Sequence, residues 1–227
     1  MRAHAPRFDR DALLDVVPLL FALVPFALVV GVQAASDGRA AGSVAGTLLL
    51  FAGSAQVSTL SLLHQGAGLV PILLTVVLIN ARFVAYTANL ATQFAGQPTW
   101  FRLLAPHFVI DQTYAIATAR ADLAGGARFR RYWLTSGLTL GVVWVTAMAA
   151  GATLGPIVPH APAVALMPAA VFAAFLGPAL RDRASAAAVA TGVAAALAPL
   201  PTATRVLLGT AMGALAGFLT EKARRGR

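Results

Sequence analysis

Six long apolar runs constrain this chain more than any other feature of its sequence. They are residues 16–35, 42–63, 69–91, 132–154, 163–180 and 205–219. Each approaches the ~20 residues needed to cross a hydrocarbon core ~30 Å thick. Two shorter runs, 103–119 and 184–200, bring the expected number of membrane segments to about eight. Because only 11% of the residues are charged, against ~25% in soluble domains, the sequence predicts an all-α, polytopic integral membrane helical bundle.

The first run differs from a cleaved secretory signal. Its apolar part is longer than a signal core, and the residues before it mix Asp9 and Asp11 with arginines. We therefore expect a retained first helix. The chain has no cysteine, which excludes disulfides and thiolate metal sites. No metal site and no cofactor are predicted.

The formal net charge of +9 is explained by membrane orientation rather than by nucleic-acid binding. The basic residues form four groups, which are Arg2, Arg7 and Arg10; Arg120, Arg128, Arg130 and Arg131; Arg181 and Arg183; and Lys222, Arg224, Arg225 and Arg227. With eight membrane segments, all four groups fall on one side, as the positive-inside rule requires. We expect a cytoplasmic segment 1–14, a membrane domain 15–220 and a basic cytoplasmic tail 221–227. The predicted location is the cell inner membrane, with both termini in the cytoplasm.

A polar interruption, "FAGSAQ" at residues 51–56, lies in the middle of the second apolar run. In lipid an unpaired polar group costs several kcal/mol, so the side chains of Ser54 and Gln56 must face protein or water. Gly53 followed by Ser54 permits a helix break, which exposes backbone N–H groups that can hold a carboxylate. Ser58 and Ser61 have a simpler alternative, since serine hydroxyls can bond to carbonyls of their own helix.

The third run contains "LINARF", with Arg82 near mid-membrane. A charge at that depth costs ~3 kcal/mol on insertion scales and indicates a functional site, although a structural ion pair remains the alternative. Helical periodicity places a polar stripe on one face, consisting of Thr75, Arg82, Tyr86, Asn89 and Gln93. A tight connection over residues 64–68 predicts a hairpin in which Asn80 and Arg82 lie at depths near that of Gln56.

The shorter run 103–119, which is the fourth of the eight in chain order, carries Asp111. Asp111 is the only acid far from a predicted segment end. Asp111 alone can neutralise Arg82 in mid-membrane or the ammonium group of a substrate. His107, one turn earlier, suggests a metal pair or a catalytic dyad, but no further ligand and no nucleophile accompany it. A structural or interfacial role is the alternative for His107.

Small residues recur every fourth position in the last run, at Gly209, Gly213 and Gly217. This spacing lets helix backbones approach closely in lipid. The contact is either internal or made with a second membrane protein, and an Ala/Gly-rich chain also produces such spacings by chance.

Four motifs, "PFALVVGVQAA", "FAGSAQ", "NARF" and "DQTYAI", occur in this order over residues 15–120. In these motifs the chain resembles the AzlC/YgaZ family of branched-chain amino-acid permease subunits. The resemblance implies a permease for neutral branched-chain amino acids, in several members an exporter. It also implies a partner, a small AzlD/YgaH-like membrane subunit.

The leading interpretation is therefore a secondary transporter rather than an enzyme. The substrate-binding residues are predicted to be Gly53, Ser54, Gln56, Asn80, Arg82 and Tyr86. Asp111 is predicted to couple transport to protons, with a permanent Asp111–Arg82 ion pair as the alternative. Two other functional classes stay open, an intramembrane enzyme that uses His107, Asp111 or Tyr114 and a channel-like structural subunit.

Overall fold

The computed structural model describes residues 8–49, 51–120, 122–123, 125–155, 180, 182–200 and 202–226. All regular elements among these residues are helical. The α-helices are α1 Arg10–Ser36, α2 Ala40–Leu49, α3 Gly53–His64, α4 Leu69–Asn89, α5 Ala91–Ala95, α6 Thr99–Leu104, α7 Asp111–Ala119, α8 Gly126–Leu154, α9 Arg183–Ala196 and α10 Thr202–Arg225, with a 3₁₀ helix at Ala105–Phe108 between α6 and α7.

Three of the described helices, α1, α4 and α8, are long and apolar enough to cross a membrane. They correspond to the apolar runs 16–35, 69–91 and 132–154, so the prediction of membrane-length helices is confirmed for these three runs. The number of eight segments is not confirmed. The predicted segment 163–180 lies outside the described residues except for Leu180, and α9 at 14 residues is too short to span at ~1.5 Å per residue.

The second apolar run is divided into two helices, and the division falls at the polar interruption. Helix α2 ends at Leu49 and α3 begins at Gly53, with Phe51 and Ala52 buried between them. A Cβ atom at Gly53 would lie 2.5 Å from Cη2 of Trp144 on α8. Glycine therefore allows the start of α3 to pack directly against the indole ring. The expected break in this segment is confirmed.

The fourth predicted segment, 103–119, is not a continuous helix, which corrects the sequence-based expectation. The chain runs through α6, the 3₁₀ helix and two extended residues, Val109 and Ile110, before α7 begins at Asp111. Pro106 lacks the backbone N–H that would continue the hydrogen bonds of α6, and the chain continues from Ala105 as a 3₁₀ helix. The predicted polar stripe is also shorter than expected, because α4 ends at Asn89 and Gln93 belongs to α5.

The chain forms two compact units, the first of which comprises residues 1–53 and 81–159. Its main contact joins α1 to α8 through glycines. A Cβ atom at Gly31 would meet the backbone of Met148 and Ala152, and one at Gly151 would meet the backbone of Leu28. The two helices therefore touch backbone to backbone, as small residues permit in membrane helices.

A buried aromatic cluster anchors the short helices of this unit to α8. Phe129 and Trp133 of α8 are fully buried, with Phe94 and Phe101 beside them. The Trp133 Nε1–H donates to the carbonyl of Ala105 at 3.1 Å. The start of the 3₁₀ helix is thereby fixed to α8.

The second unit comprises residues 54–80 and 160–227, and its described contacts are dominated by the antiparallel pair α9 and α10. A Cβ atom at Gly213 would lie 2.9 Å from the carbonyl oxygen of Ala188, and one at Gly209 would lie 3.3 Å from that of Gly192. The glycine stripe of α10 therefore packs against α9 of the same chain. Of the two alternatives for this stripe, an internal contact and a contact with a second membrane protein, the structure shows the internal one.

Candidate functional site

Arg82, Tyr86 and Asp111 meet in the first unit. Arg82 and Tyr86 lie one helical turn apart on α4, and Asp111 is the first residue of α7. The Arg82 Nη2 atom lies 3.0 Å from Oδ2 of Asp111, and the Tyr86 hydroxyl donates to Oδ1 of Asp111 at 2.9 Å. The carboxylate thus binds one cation and one hydroxyl, each through a different oxygen.

The position of Asp111 follows from the helix break before it. The Ile110 N–H donates to Oγ1 of Thr113 at 3.1 Å, and the Thr113 hydroxyl donates to the carbonyl of Phe108 at 2.5 Å. Phe108 is held in turn against α8, where a Cβ atom at Gly137 would lie 2.5 Å from its ring. Asp111 therefore lies in the first turn of α7, where the peptide dipoles favour a negative group.

Aromatic rings border the ion pair on the α4 side and on the α7 side. The rings of Tyr86 and Tyr114 stack with centroids 4.1 Å apart and planes 7° from parallel. The Arg82 guanidinium carbon lies 5.3 Å from the centroid of the Phe83 ring. Such rings orient a neighbouring cation without competing for its hydrogen bonds.

The ion pair is accessible within the chain. The side chain of Arg82 is 37% exposed and that of Asp111 is 47% exposed. Lipid does not solvate charges, so these exposed fractions must face water, a ligand or another protein. A small ligand with opposite charges can reach both groups.

The remaining predicted substrate-binding residues are divided between the two units. Gly53 contacts Trp144 and Phe26 in the first unit, whereas Ser54, Gln56 and Asn80 belong to the second unit. The Oδ1 atom of Asn80 is buried and has no hydrogen-bond partner among the described residues. The predicted meeting of the "GSAQ" and "NAR" motifs stays a prediction.

His107 does not join the ion pair. It lies exposed in the 3₁₀ helix with its ring 5.2 Å from that of Phe108. Over the described part of the chain, no group of three or more histidine, cysteine or acidic residues is placed to hold a metal ion. The metal pair suggested by the His107–Asp111 spacing finds no support in this geometry.

A second charged network lies where α1 begins and α7 ends. Arg120 caps α7 and binds Asp11, Asp15 and Asp122 at distances of 2.9–3.1 Å. Hydrogen bonding to Arg120 lowers the pKa of Asp122 to about 2, and the three carboxylates raise the pKa of Arg120. Arg10 of the first predicted basic group, at the start of α1, and Arg120 and Arg128 of the second therefore lie at the same end of this unit.

Sequence reasoning missed Thr113 and Arg120 as residues that position the site. For Thr113 the available signal was Pro106, which interrupts the apolar run 103–119. A proline there indicates that one helix ends and that another begins after it. Two of the acids near Arg120, Asp11 and Asp15, are 109 and 105 residues away in sequence, so only the packing of α1 on α7 and α8 reveals their pairing.

The family comparison bears directly on these residues. A family model described as "AzlC protein" matches residues 18–158, a range that contains the glycine contact, the broken second run and the ion pair. The chain belongs to the AzlC family. This membership, together with the apolar helices, indicates a component of a membrane transporter. No curated protein and no solved structure matches the chain.

Proposed function

We propose that the chain is the large subunit of a permease that moves branched-chain and similar small neutral amino acids across the cell membrane, in the direction of export. AzlC-family membership supports the transport class. The observation that carries the proposal is the accessible ion pair between Arg82 and Asp111. Its two opposite charges match those of an amino-acid zwitterion.

In this proposal the substrate replaces the internal ion pair. The substrate carboxylate binds Arg82, and the substrate ammonium binds Asp111, with the Tyr86 hydroxyl as an additional partner. While the substrate is bound, each member of the pair exchanges one opposite charge for another, so neither charge is left unpaired. The apolar residues of the surrounding helices accept the branched side chain.

The broken second run supplies further proposed substrate-binding residues. Gly53 opens α3, and a helix that begins inside a membrane protein offers N–H groups to a carboxylate. Ser54, Gln56 and Asn80 are proposed, from their sequence motifs, to bind the substrate through side-chain hydrogen bonds. Asp111 would carry the coupling proton in the part of the cycle in which neither Arg82 nor an ammonium neutralises it.

Partner and location are proposed from the family resemblance and the charge pattern. A small AzlD/YgaH-like membrane subunit would assemble with the chain in the cytoplasmic membrane, and both termini would face the cytoplasm. The glycine stripe of α10 is excluded as the docking surface because α9 covers it. Full exchange by the purified single chain would make the partner dispensable.

The test uses leucine analogues that each lack one charge. Proteoliposomes with the chain, with and without the small subunit, are loaded with leucine, and uptake of labelled leucine is measured. We expect 4-methylpentanoate and 3-methylbutylamine to compete about tenfold to a hundredfold more weakly than leucine, because each leaves a charged group without its partner. Equal competition by either analogue would place recognition elsewhere.

A matched pair of variants locates the site. Arg82→Gln is expected to abolish exchange while the protein inserts normally. Arg102→Gln makes the same change in charge at an exposed position of α6 and should retain exchange. If both variants exchange leucine at the level of the unmodified chain, Arg82 does not bind the substrate.

A further inference from the structure

The charged end of the α9–α10 pair contains an open groove of about 500 Å³. Six residues line it, namely Arg183, Ala184, Thr220, Glu221, Ala223 and Arg224. Because the two helices are antiparallel, the first residue of α9 and the last turn of α10 lie side by side. The groove is therefore bordered by one end of each helix.

The two arginines of the groove differ in their pairing. Arg224 binds both oxygens of Glu221, through Nε and Nη2, at 2.8 Å each, and its side chain is still 69% exposed. Among the described residues, no carboxylate pairs with Arg183. The sequence around the groove, residues 181–183 and 221–225, holds five cations against two acids. The groove thus has a positive charge that Glu221 does not cancel.

The helix surface beyond the groove is apolar and exposed. Leu215, Phe218 and Leu219 of α10 are 53–63% exposed, and all three precede the charged last turn. A patch of exposed apolar side chains marks a surface that contacts a membrane or another protein rather than water. The charged groove therefore lies next to an exposed apolar surface at one end of the α9–α10 pair.

We propose that this groove binds the headgroup of an anionic phospholipid. Arg183 and the free edge of Arg224 hold the phosphate, and the acyl chains lie along Leu215, Phe218 and Leu219. Basic pockets between membrane helices bind anionic headgroups by this combination of charge and apolar surface. The apolar surface favours a lipid over free phosphate, which would gain nothing from it. This site is independent of the ion pair at Arg82.

The experiment measures lipid binding to the full chain in detergent, without transport. Native mass spectrometry counts bound dioleoyl-phosphatidylglycerol during a titration, with dioleoyl-phosphatidylcholine as the neutral comparison. We expect preferential retention of phosphatidylglycerol. Arg183→Gln should weaken its binding about fivefold, as expected for one basic residue at an anionic surface, and Arg183→Lys should restore most of it. Since Arg183 has no ion pair among the described residues, its replacement should leave the thermal unfolding temperature unchanged.

Two controls decide the outcome. Arg39→Gln changes the net charge equally, at an exposed position between α1 and α2, and should leave phosphatidylglycerol binding unchanged. Inorganic phosphate at millimolar concentration should not displace the lipid. The proposal is overturned by equal binding of the two lipids, by an equal loss in Arg39→Gln, or by displacement with phosphate, which would indicate a site for free anions.

Discussion

Replacing Asp111 by asparagine separates the two roles that an acid beside Arg82 can have. The asparagine amide keeps the shape of the side chain and still accepts a hydrogen bond from the Tyr86 hydroxyl, which lies 2.9 Å from the carboxylate. Only the negative charge and the ability to take up a proton are lost. Any change in transport therefore reports on charge or protonation and not on packing.

The expected cost to stability follows from the exposure of the pair. The side chains of Arg82 and Asp111 are 37% and 47% exposed, and ion pairs with comparable solvent access contribute ~0–1 kcal/mol. Removing one member of a fully buried pair costs ~3–5 kcal/mol. For a chain of this size, ~1 kcal/mol corresponds to a shift of ~2–4 °C in unfolding temperature. We therefore expect Asp111→Asn to unfold at most ~4 °C below the unmodified protein.

The assay compares leucine exchange with proton-driven flux in proteoliposomes between pH 5.5 and 8. At leucine concentrations that saturate the weakened site, Asp111→Asn should retain exchange, which requires no net proton movement, and lose the dependence of net flux on the pH gradient. The double variant Arg82→Gln/Asp111→Asn completes a cycle that isolates the interaction of the two side chains. If Asp111→Asn loses folded protein and the double variant recovers it, the ion pair is structural and the coupling role is wrong.

Two further predictions concern helix packing and topology. Gly53→Ala should lower the free energy of unfolding by ~1–3 kcal/mol, measured by thermal unfolding, because its Cβ would lie 2.5 Å from Trp144. The control Gly141→Ala, whose Cβ would lie 3.9 Å from its nearest neighbour, should be tolerated. Equal stability of the two variants would contradict the close packing at Gly53. Reporter fusions after Ala35, after Arg131 and at the C-terminus should read outside, inside and inside, and an external C-terminus would exclude the eight-segment topology.

The parts of the fold that the sequence predicts well are those governed by continuous hydrophobicity. Helices α1 and α8 follow directly from uninterrupted apolar runs, and the break at Gly53 follows from polar residues that lipid cannot satisfy. The pairing of Arg82 with Asp111 could also be anticipated, because a mid-membrane cation requires an anion and the sequence offers one suitable acid. In these cases the residue types and the cost of burying polar groups in lipid are enough to predict the structure.

Tertiary contacts decide the features that the sequence could not supply. The run 103–119 is apolar enough to predict a membrane span, and although Pro106 interrupts it, the form of the break depends on Trp133 holding Ala105 and on Thr113 bonding to Phe108. These partners are 28 and 5 residues apart in the chain, and no periodic pattern connects them. The glycine stripe of α10 likewise predicts a close contact between helices, but the sequence does not show which helix packs against it.

The backbone contact between α1 and α8 determines which parts of the first unit can move. Where Gly31 and Gly151 bring two main chains together, sliding one helix along the other would drive side chains into the opposite backbone. The register of this pair is therefore locked, and α1 and α8 together act as a rigid frame. In the proposed transport cycle, alternating access within this unit would fall to short elements such as α7, whose nine residues carry Asp111 at one end and are capped by Arg120 at the other. A tilt of α7 that opens the ion pair would strain the charged network at its far end, so the two clusters would open and close in opposition.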